Sequence, residues 1–172
     1  MTAAPEWIDV LELLRDTPAA QRPSERLRAR LLAATQEATR FEGFIDRLAV
    51  LFGGSHEHAR AMVARIDREE AWLECGVPGH RYIPIPGYGD AARDLLMWIR
   101  IEPGHVFPTH THPTAELSFC IQGGARIRES LVLEAGDFLI TEAGEAHACH
   151  SVRGEPCIML LRRHGPPLEF EH

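Results

Sequence analysis

The chain has 172 residues, 45% of them hydrophobic and 25% charged, with a formal net charge of −7. Such values allow a buried core in one domain or two small ones, and the acidic balance argues against a nucleic-acid surface, which needs clustered positive charge. All eighteen basic residues are arginine, so Schiff-base and lysine general-base chemistry are excluded.

The opening Met-Thr-Ala-Ala-Pro-Glu-Trp has no basic region followed by an apolar run, and no apolar stretch reaches membrane-spanning length. A cytoplasmic protein without membrane association is therefore expected. Pro5 suits a helix start, with Ile8, Leu11 and Leu14 at near-helical spacing until Pro18. Ser24 is placed to cap a second helix carrying Leu27, Leu31 and Ala34 inward. In the third helix Phe41, Phe44, Ile45, Leu48, Leu51 and Phe52 form one stripe, stopped by Gly53-Gly54. Ser55 then offers an N-cap to a fourth, whose Ala59, Met62, Val63 and Ile66 repeat the period. A hairpin this small is not stable alone, so it should pack on the following domain or on a second subunit. Glycines and prolines between Glu74 and Asp90 predict an irregular connector lying across that domain as an extended arm. The pattern thus divides into a helical region, 1–73, and a strand-rich domain, 74–172.

Two stretches of the second half carry the chemistry. The first reads Gly104-x5-His110-x-His112-x3-Glu116-x6-Gly123, the second Gly136-x5-Glu142-x-Gly144-x2-His147-x3-Ser151. Side chains alternate along a strand, so His110 and His112 point the same way and can reach one ion. Pro113 interrupts the ladder, and the chain re-enters a sheet with Glu116, Ser118 and Cys120 on one face and Leu117, Phe119 and Ile121 on the other. Gly123-Gly124 suits a turn needing positive φ, and Gly144 permits the bend that aims His147 inward. Three imidazoles with one carboxylate suit zinc, iron, manganese, nickel or copper and leave coordination positions for water or a small molecule.

Other conspicuous residues have plainer readings. His56 and His58 at a helix start face different ways, and both are expected to be solvated. The arginines between Arg22 and Arg30 alternate with acids and small residues as on a solvated face. Arg126 and Arg128 share a strand face, read as outward rather than as an anion clamp. Cys75, Cys120, Cys149 and Cys157 form no C-x-x-C pair and are read as free thiols. Cys120 and Cys149 share parity with Glu116 and His147, which turns both inward as small buried hydrophobes rather than redox reporters or further ligands. His80, His105, His150 and His164 lie off the ligand pattern and receive no role.

The two stretches resemble the paired signature motifs of the cupin superfamily over roughly Tyr82 to Arg163, with Glu142 where that family usually has proline and Ser151 where it often has asparagine. The resemblance implies a mainly β fold, a cupin double-stranded β-helix or jelly-roll barrel, preceded here by a small α-helical N-terminal region. It implies one divalent metal per chain held by His110, His112, Glu116 and His147. Barrels of this shape that hold no ion usually lose a ligand, and here all four are present. It also implies a homodimer paired through edge strands. Helices before a single metal cupin resemble the layout of ChrR-type anti-sigma regulators, which favours zinc, a protein partner on the N-terminal helices and a response to oxidative stress. Those regulators carry a His-x3-Cys-x2-Cys element in their helical part, and no cysteine precedes Cys75 here, so sigma-factor binding is not carried over and what remains is a ChrR-like cupin with a short helical extension. The competing expectation is a metal-dependent dioxygenase or isomerase taking a small molecule in the barrel; the short connection from Gly123 to Gly136 leaves little loop to cover it.

Overall fold

Period-two alternation from Leu95 onward becomes strands of two antiparallel sheets in the computed structural model of the protein, which describes residues 40–86, 94–164 and 169–170 together with Ser24. The helices expected between Pro5 and Ala34 lie outside the described residues. The chain divides into two compact units, Met1–Arg40 and Phe41–His172, and every element described here belongs to the second. Its strands are β1 (Leu73–Glu74), β2 (His80–Pro84), β3 (Asp94–Ile101), β4 (Val106–Thr111), β5 (Glu116–Gln122), β6 (Gly124–Arg128), β7 (Leu131–Glu134), β8 (Phe138–Thr141), β9 (Ala146–Ser151), β10 (Cys157–His164) and β11 (Glu169–Phe170). One sheet has the order β1-β2-β3-β10-β5-β8, the other β11-β4-β9-β6-β7. The fold is mainly β, with the small helical region before the strands.

The strands β3, β5 and β10 carry two cores on opposite faces. Inward, Ile99, Ile101, Cys120, Cys157, Met159 and Leu161 meet Ala125, Ile127, Leu133 and Cys149 of the second sheet. Outward, Trp98, Phe119, Ile121, Ile158 and Leu160 pack against the helices. This double burial explains why β10 reads as a near-continuous apolar run, Cys157 to Leu161, rather than alternating with polar residues.

The helical hairpin is α1 (Ile45–Phe52) and α2 (His56–Val63), with a 3-10 turn at Glu42–Phe44 before it. Gly53 caps α1 at φ 64°, and the Ser55 hydroxyl accepts the His58 amide at 3.1 Å to start α2. The apolar stripe Phe41, Ile45, Leu48 and Phe52 is buried against the outer face of the barrel rather than left for another subunit. Phe44 meets Phe119 edge-on with centroids 5.7 Å apart, and Phe52 meets Trp98 at 5.9 Å. Three arginines tie hairpin and strands through carbonyls: Arg47 to Gly136, Arg65 to Pro84, and Arg162 back to Leu51. His56 is solvent-exposed beside Asp46, and His58 stacks its edge on Phe52, so neither belongs to a metal pair.

The expected irregular arm from Glu74 to Asp90 is instead partly sheet. His80–Pro84 pairs with β3 in the register Tyr82↔Ile99 and Ile83↔Trp98. Flanking Gly76, Pro78, Gly79 and Pro84 hid the strand-forming Arg81-Tyr82-Ile83 core, which the sheet edge selects by burying Ile83 completely.

Gly123 does not close a hairpin: β5 and β6 lie in different sheets, and this residue carries the chain across at φ 68°. A Cβ here would stand 2.7 Å from the Pro156 carbonyl oxygen. Gly123→Ala should therefore destabilise the protein by about 2 kcal/mol or more, since left-handed strain and overpacking combine. Gly104→Ala, at φ 77° in open space, should cost about 1 kcal/mol. Denaturant titration of both variants checks the difference, and equal losses would contradict the close approach.

Candidate metal centre

The barrel brings His110, His112 and His147 together, their nearest ring nitrogens all within 4.8 Å of one another. His110 and His147 are direct register partners across β4 and β9. His112 lies just past the end of β4, and its backbone is held by the turn before β9: its amide donates to the Glu145 carbonyl at 3.0 Å and its carbonyl accepts the Gly144 amide at 2.7 Å. Gly144 has φ 84°, as the bend before His147 requires. Where the family usually has proline, the Glu142 amide donates to the Glu145 carboxylate at 3.1 Å, so this departure supplies a bond that proline could not make.

The ring centroids are 4.8 Å apart for His110 and His112, 4.9 Å for His110 and His147, and 4.8 Å for His112 and His147. His110 and His112 are buried and His147 half-buried. The His110 Nδ1 is 2.9 Å from the Pro108 carbonyl, which makes Nδ1 the protonated nitrogen and turns Nε2 toward the cluster. Both nitrogens of His112 and Nδ1 of His147 are buried with no hydrogen-bond partner among the described residues. Burial, then the neighbouring imidazoles, pushes His112 and His147 down to about 4, and burial lowers His110 as well. Clustered imidazoles held neutral, with orphaned nitrogens, are the donor set a transition metal takes.

Glu116 enters from the opposite sheet, at the start of β5. Its Oε2 is 4.0 Å from the His112 Nδ1 and has no hydrogen bond. Burial pushes its carboxyl up to about 7, against the pull of Arg163, whose Nη1 is 3.7 Å away. The three histidines are thus gathered at one point, with Glu116 at its edge and between the cluster and a buried cation.

Arg163 is the residue missed in the sequence. It pairs with Glu116 across β10 and β5, is 5% exposed, and among the described residues its Nε and Nη1 have no hydrogen-bond partner. The signal was present: Cys157, Met159, Leu161 and Arg163 share one face of β10, so a charge ends an inward apolar row. The adjacent Arg162 takes the other face of the strand and bonds the Leu51 carbonyl.

A cavity of about 50 Å³ opens beside His110, Glu116 and His147. Its walls are apolar, among them Met97, Ile99, Ile127 and Leu161, with Cys149 and Ser118 between them. Cys120 and Cys149 do turn inward, as parity predicts. Burial raises the Cys149 thiol to about 12, and a hydrogen bond with Cys120 raises Cys157, so both stay protonated, as buried structural thiols do. Arg126 and Arg128 face solvent, the latter 3.0 Å from Glu145. His80 is wholly buried against Phe107, away from the cluster.

A sequence model of the cupin domain matches residues 97–161. Among solved structures, the complex of Rhodobacter sphaeroides SigE with the anti-sigma ChrR is similar at a TM-score of 0.53 and 23% identity, over 90% of this chain and 74% of that one. An acetylacetone dioxygenase from Acinetobacter johnsonii gives a TM-score of 0.51 at 12% identity, over 59% of this chain and 72% of that one. At these identities the likeness carries the fold alone. A curated relative, the ribosomal protein L11 methyltransferase of Pseudomonas paraeruginosa, is 30% identical over 113 residues, 63% of this chain and 38% of its own length. The chain thus spans well under half of that protein, and methyl transfer is that protein's activity. The matched span, the two-sheet barrel and the two motifs meeting at one imidazole cluster identify residues 97–161 as a cupin domain.

Proposed function

We propose that the protein is a metal-binding sensory cupin, in which His110, His112, His147 and Glu116 hold one divalent ion, zinc by preference, and the helical region before the barrel contacts a partner protein. The observation that carries the reading is the three-imidazole cluster in which both nitrogens of His112 and Nδ1 of His147 are buried without a hydrogen-bond partner among the described residues, a costly arrangement unless an ion satisfies them. When bound, the ion supplies a Lewis-acid centre with ligand positions that oxidation or exchange can alter. The chain's own residues offer a route outward. Glu116 faces the cavity from β5 and is paired with Arg163 of β10, while Phe119, Ile158 and Leu160 of the same strands bear on the helices. A shift of Glu116 would thus reach α1 and α2 through two strands.

The partner is proposed by analogy with the SigE–ChrR complex, whose match extends over most of this chain. No helix among the described residues is long and apolar enough to cross a membrane. A cytoplasmic homodimer is proposed on the cupin resemblance alone. The competing reading, a metal-dependent dioxygenase or isomerase, is favoured by the apolar cavity at the cluster, which has room for an ion and a few ligand atoms.

Elemental analysis of protein made without added metal should find close to one zinc per chain. Exposure to peroxide or singlet oxygen should change its self-association or partner binding, read by light scattering and pull-down. Iron or manganese with oxygen uptake on a small diketone or phenol would favour the enzyme instead, and an ion-free protein would remove both readings.

A further inference from the structure

We propose that Arg163 is a positioning residue for the metal centre: its guanidinium competes with the ion for the Glu116 carboxylate, which makes Glu116 a releasable ligand beside three fixed imidazoles. This rests on the metal reading and deepens it by separating the carboxylate from the histidines. The ring nitrogens of His110, His112 and His147 lie within 4.8 Å of one another, and Glu116 falls outside that group. Its Oε2 is 4.0 Å from the His112 Nδ1 on one side and 3.7 Å from the Arg163 Nη1 on the other. Neither separation is a hydrogen bond, so the carboxylate is committed to neither neighbour.

Sheet register sets this placement. Arg163 of β10, Glu116 of β5 and Thr141 of β8 form one row across three neighbouring strands, each no more than 5% exposed. Among the described residues the Arg163 Nε and Nη1, the Glu116 Oε2 and the Thr141 Oγ1 have no hydrogen-bond partner. These atoms are closed to solvent, and Glu116 is the one acid within ion-pair range of Arg163 among the described residues. The guanidinium therefore depends on that carboxylate, since a buried charge is tolerated only when it is paired. The imidazoles are anchored elsewhere. His110 and His147 are register partners in the other sheet, and the His112 backbone is bonded to Glu145 and Gly144 in the turn before β9. The ligand set is thus divided between two sheets, with the single carboxylate on the side of the arginine.

A guanidinium in this position opposes a divalent ion twice over. It repels the ion directly, and it holds the negative charge that would attract it, both in apolar surroundings where screening is weak. Its field already reaches the ligands: burial is what chiefly lowers His110 and His112, and the Arg163 charge adds to it at both. The ion gains Glu116 only as Arg163 loses it, so the three imidazoles locate the metal while the fourth ligand can leave to a waiting partner.

The test uses the full chain with cobalt(II), whose visible absorption reports the ligand field and whose affinity is read by competition with a chelator. Arg163→Met removes the competing charge, so cobalt affinity should rise about ten-fold or more, the usual effect of one nearby unit charge on an ionic equilibrium. Arg163→Lys keeps the charge and should stay closer to wild type. Glu116→Gln should lower affinity by less than about ten-fold in the wild-type chain, where the carboxylate is shared, and by about 100-fold or more in the Arg163→Met chain, where it is not. The cobalt spectrum should change on Arg163→Met, yet Glu116→Gln chains with and without Arg163→Met should give the same spectrum, because the change comes from the carboxylate. A folded Arg163→Met protein that binds cobalt no more tightly than wild type overturns the proposal, and so does a Glu116→Gln loss of equal size in both chains. Should Arg163→Met not fold, the wild-type chain decides: a Glu116→Gln loss as large as that of His112→Ala makes Glu116 a fixed ligand and ends the proposal. A wild-type protein that takes up no cobalt removes the metal reading, and this proposal with it.

Discussion

Replacing His112 by alanine should abolish stoichiometric metal binding, with affinity lower by about 100-fold or more, since even removal of a residue behind a ligand commonly costs 10- to 100-fold. His112 is the strongest test because it is fully buried and both its nitrogens are orphaned, so it has no evident structural hydrogen bond to lose. Its backbone bonds to Glu145 and Gly144 do not involve the side chain and should survive. The apo variant should therefore remain folded, and small relief from a buried unsatisfied ring offsets the cavity it leaves. Metal content after dialysis against a weak chelator, alongside circular dichroism, checks both halves. Unchanged stoichiometry in a folded variant would show that the ion, if present, lies elsewhere.

Replacing Trp98 by alanine should destabilise the protein by about 3–5 kcal/mol. Trp98 is fully buried on the central strand β3, between Ile83 of β2 and Leu160 of β10. Its ring meets Phe52 edge-on, and its indole N–H donates to the Met62 carbonyl at 3.2 Å. One side chain thus anchors both helices of the hairpin to the outer face of the barrel. Loss should be uneven: amide exchange in α1 and α2 should accelerate more than in β4 and β9, which face the other core. Trp98→Phe, which keeps most of the buried area, should recover most of the stability. Uniform acceleration across helices and the second sheet would mean that the two cores act as one unit.

Local chemistry made much of this legible from residues alone. The stripe from Phe41 to Phe52, the Gly53 stop and the Ser55 cap are set within one or two helical turns, and each is found as expected. The alternation of β5 likewise assigns Glu116 and Cys120 to the interior and Phe119 to the exterior before any partner strand is known. The strand at His80–Pro84 was illegible because its pairing energy comes from β3, distant in sequence, while its own neighbours are turn formers. The pairing of Arg163 with Glu116 was illegible for a related reason: parity turns the arginine inward, but only the register of β10 against β5 puts it opposite that carboxylate.

By itself the chain's order of residues determined the helical hairpin, the strand alternation and the three histidines able to meet at one point, because these follow from periods of two and 3.6 and from the turns glycine allows. Only the tertiary structure decided that the hairpin lies on the outer face of the same strands whose inner face lines the cavity, and that a buried arginine stands behind the carboxylate. Those are contacts between segments far apart in the chain, set by sheet order and register, which no local pattern encodes.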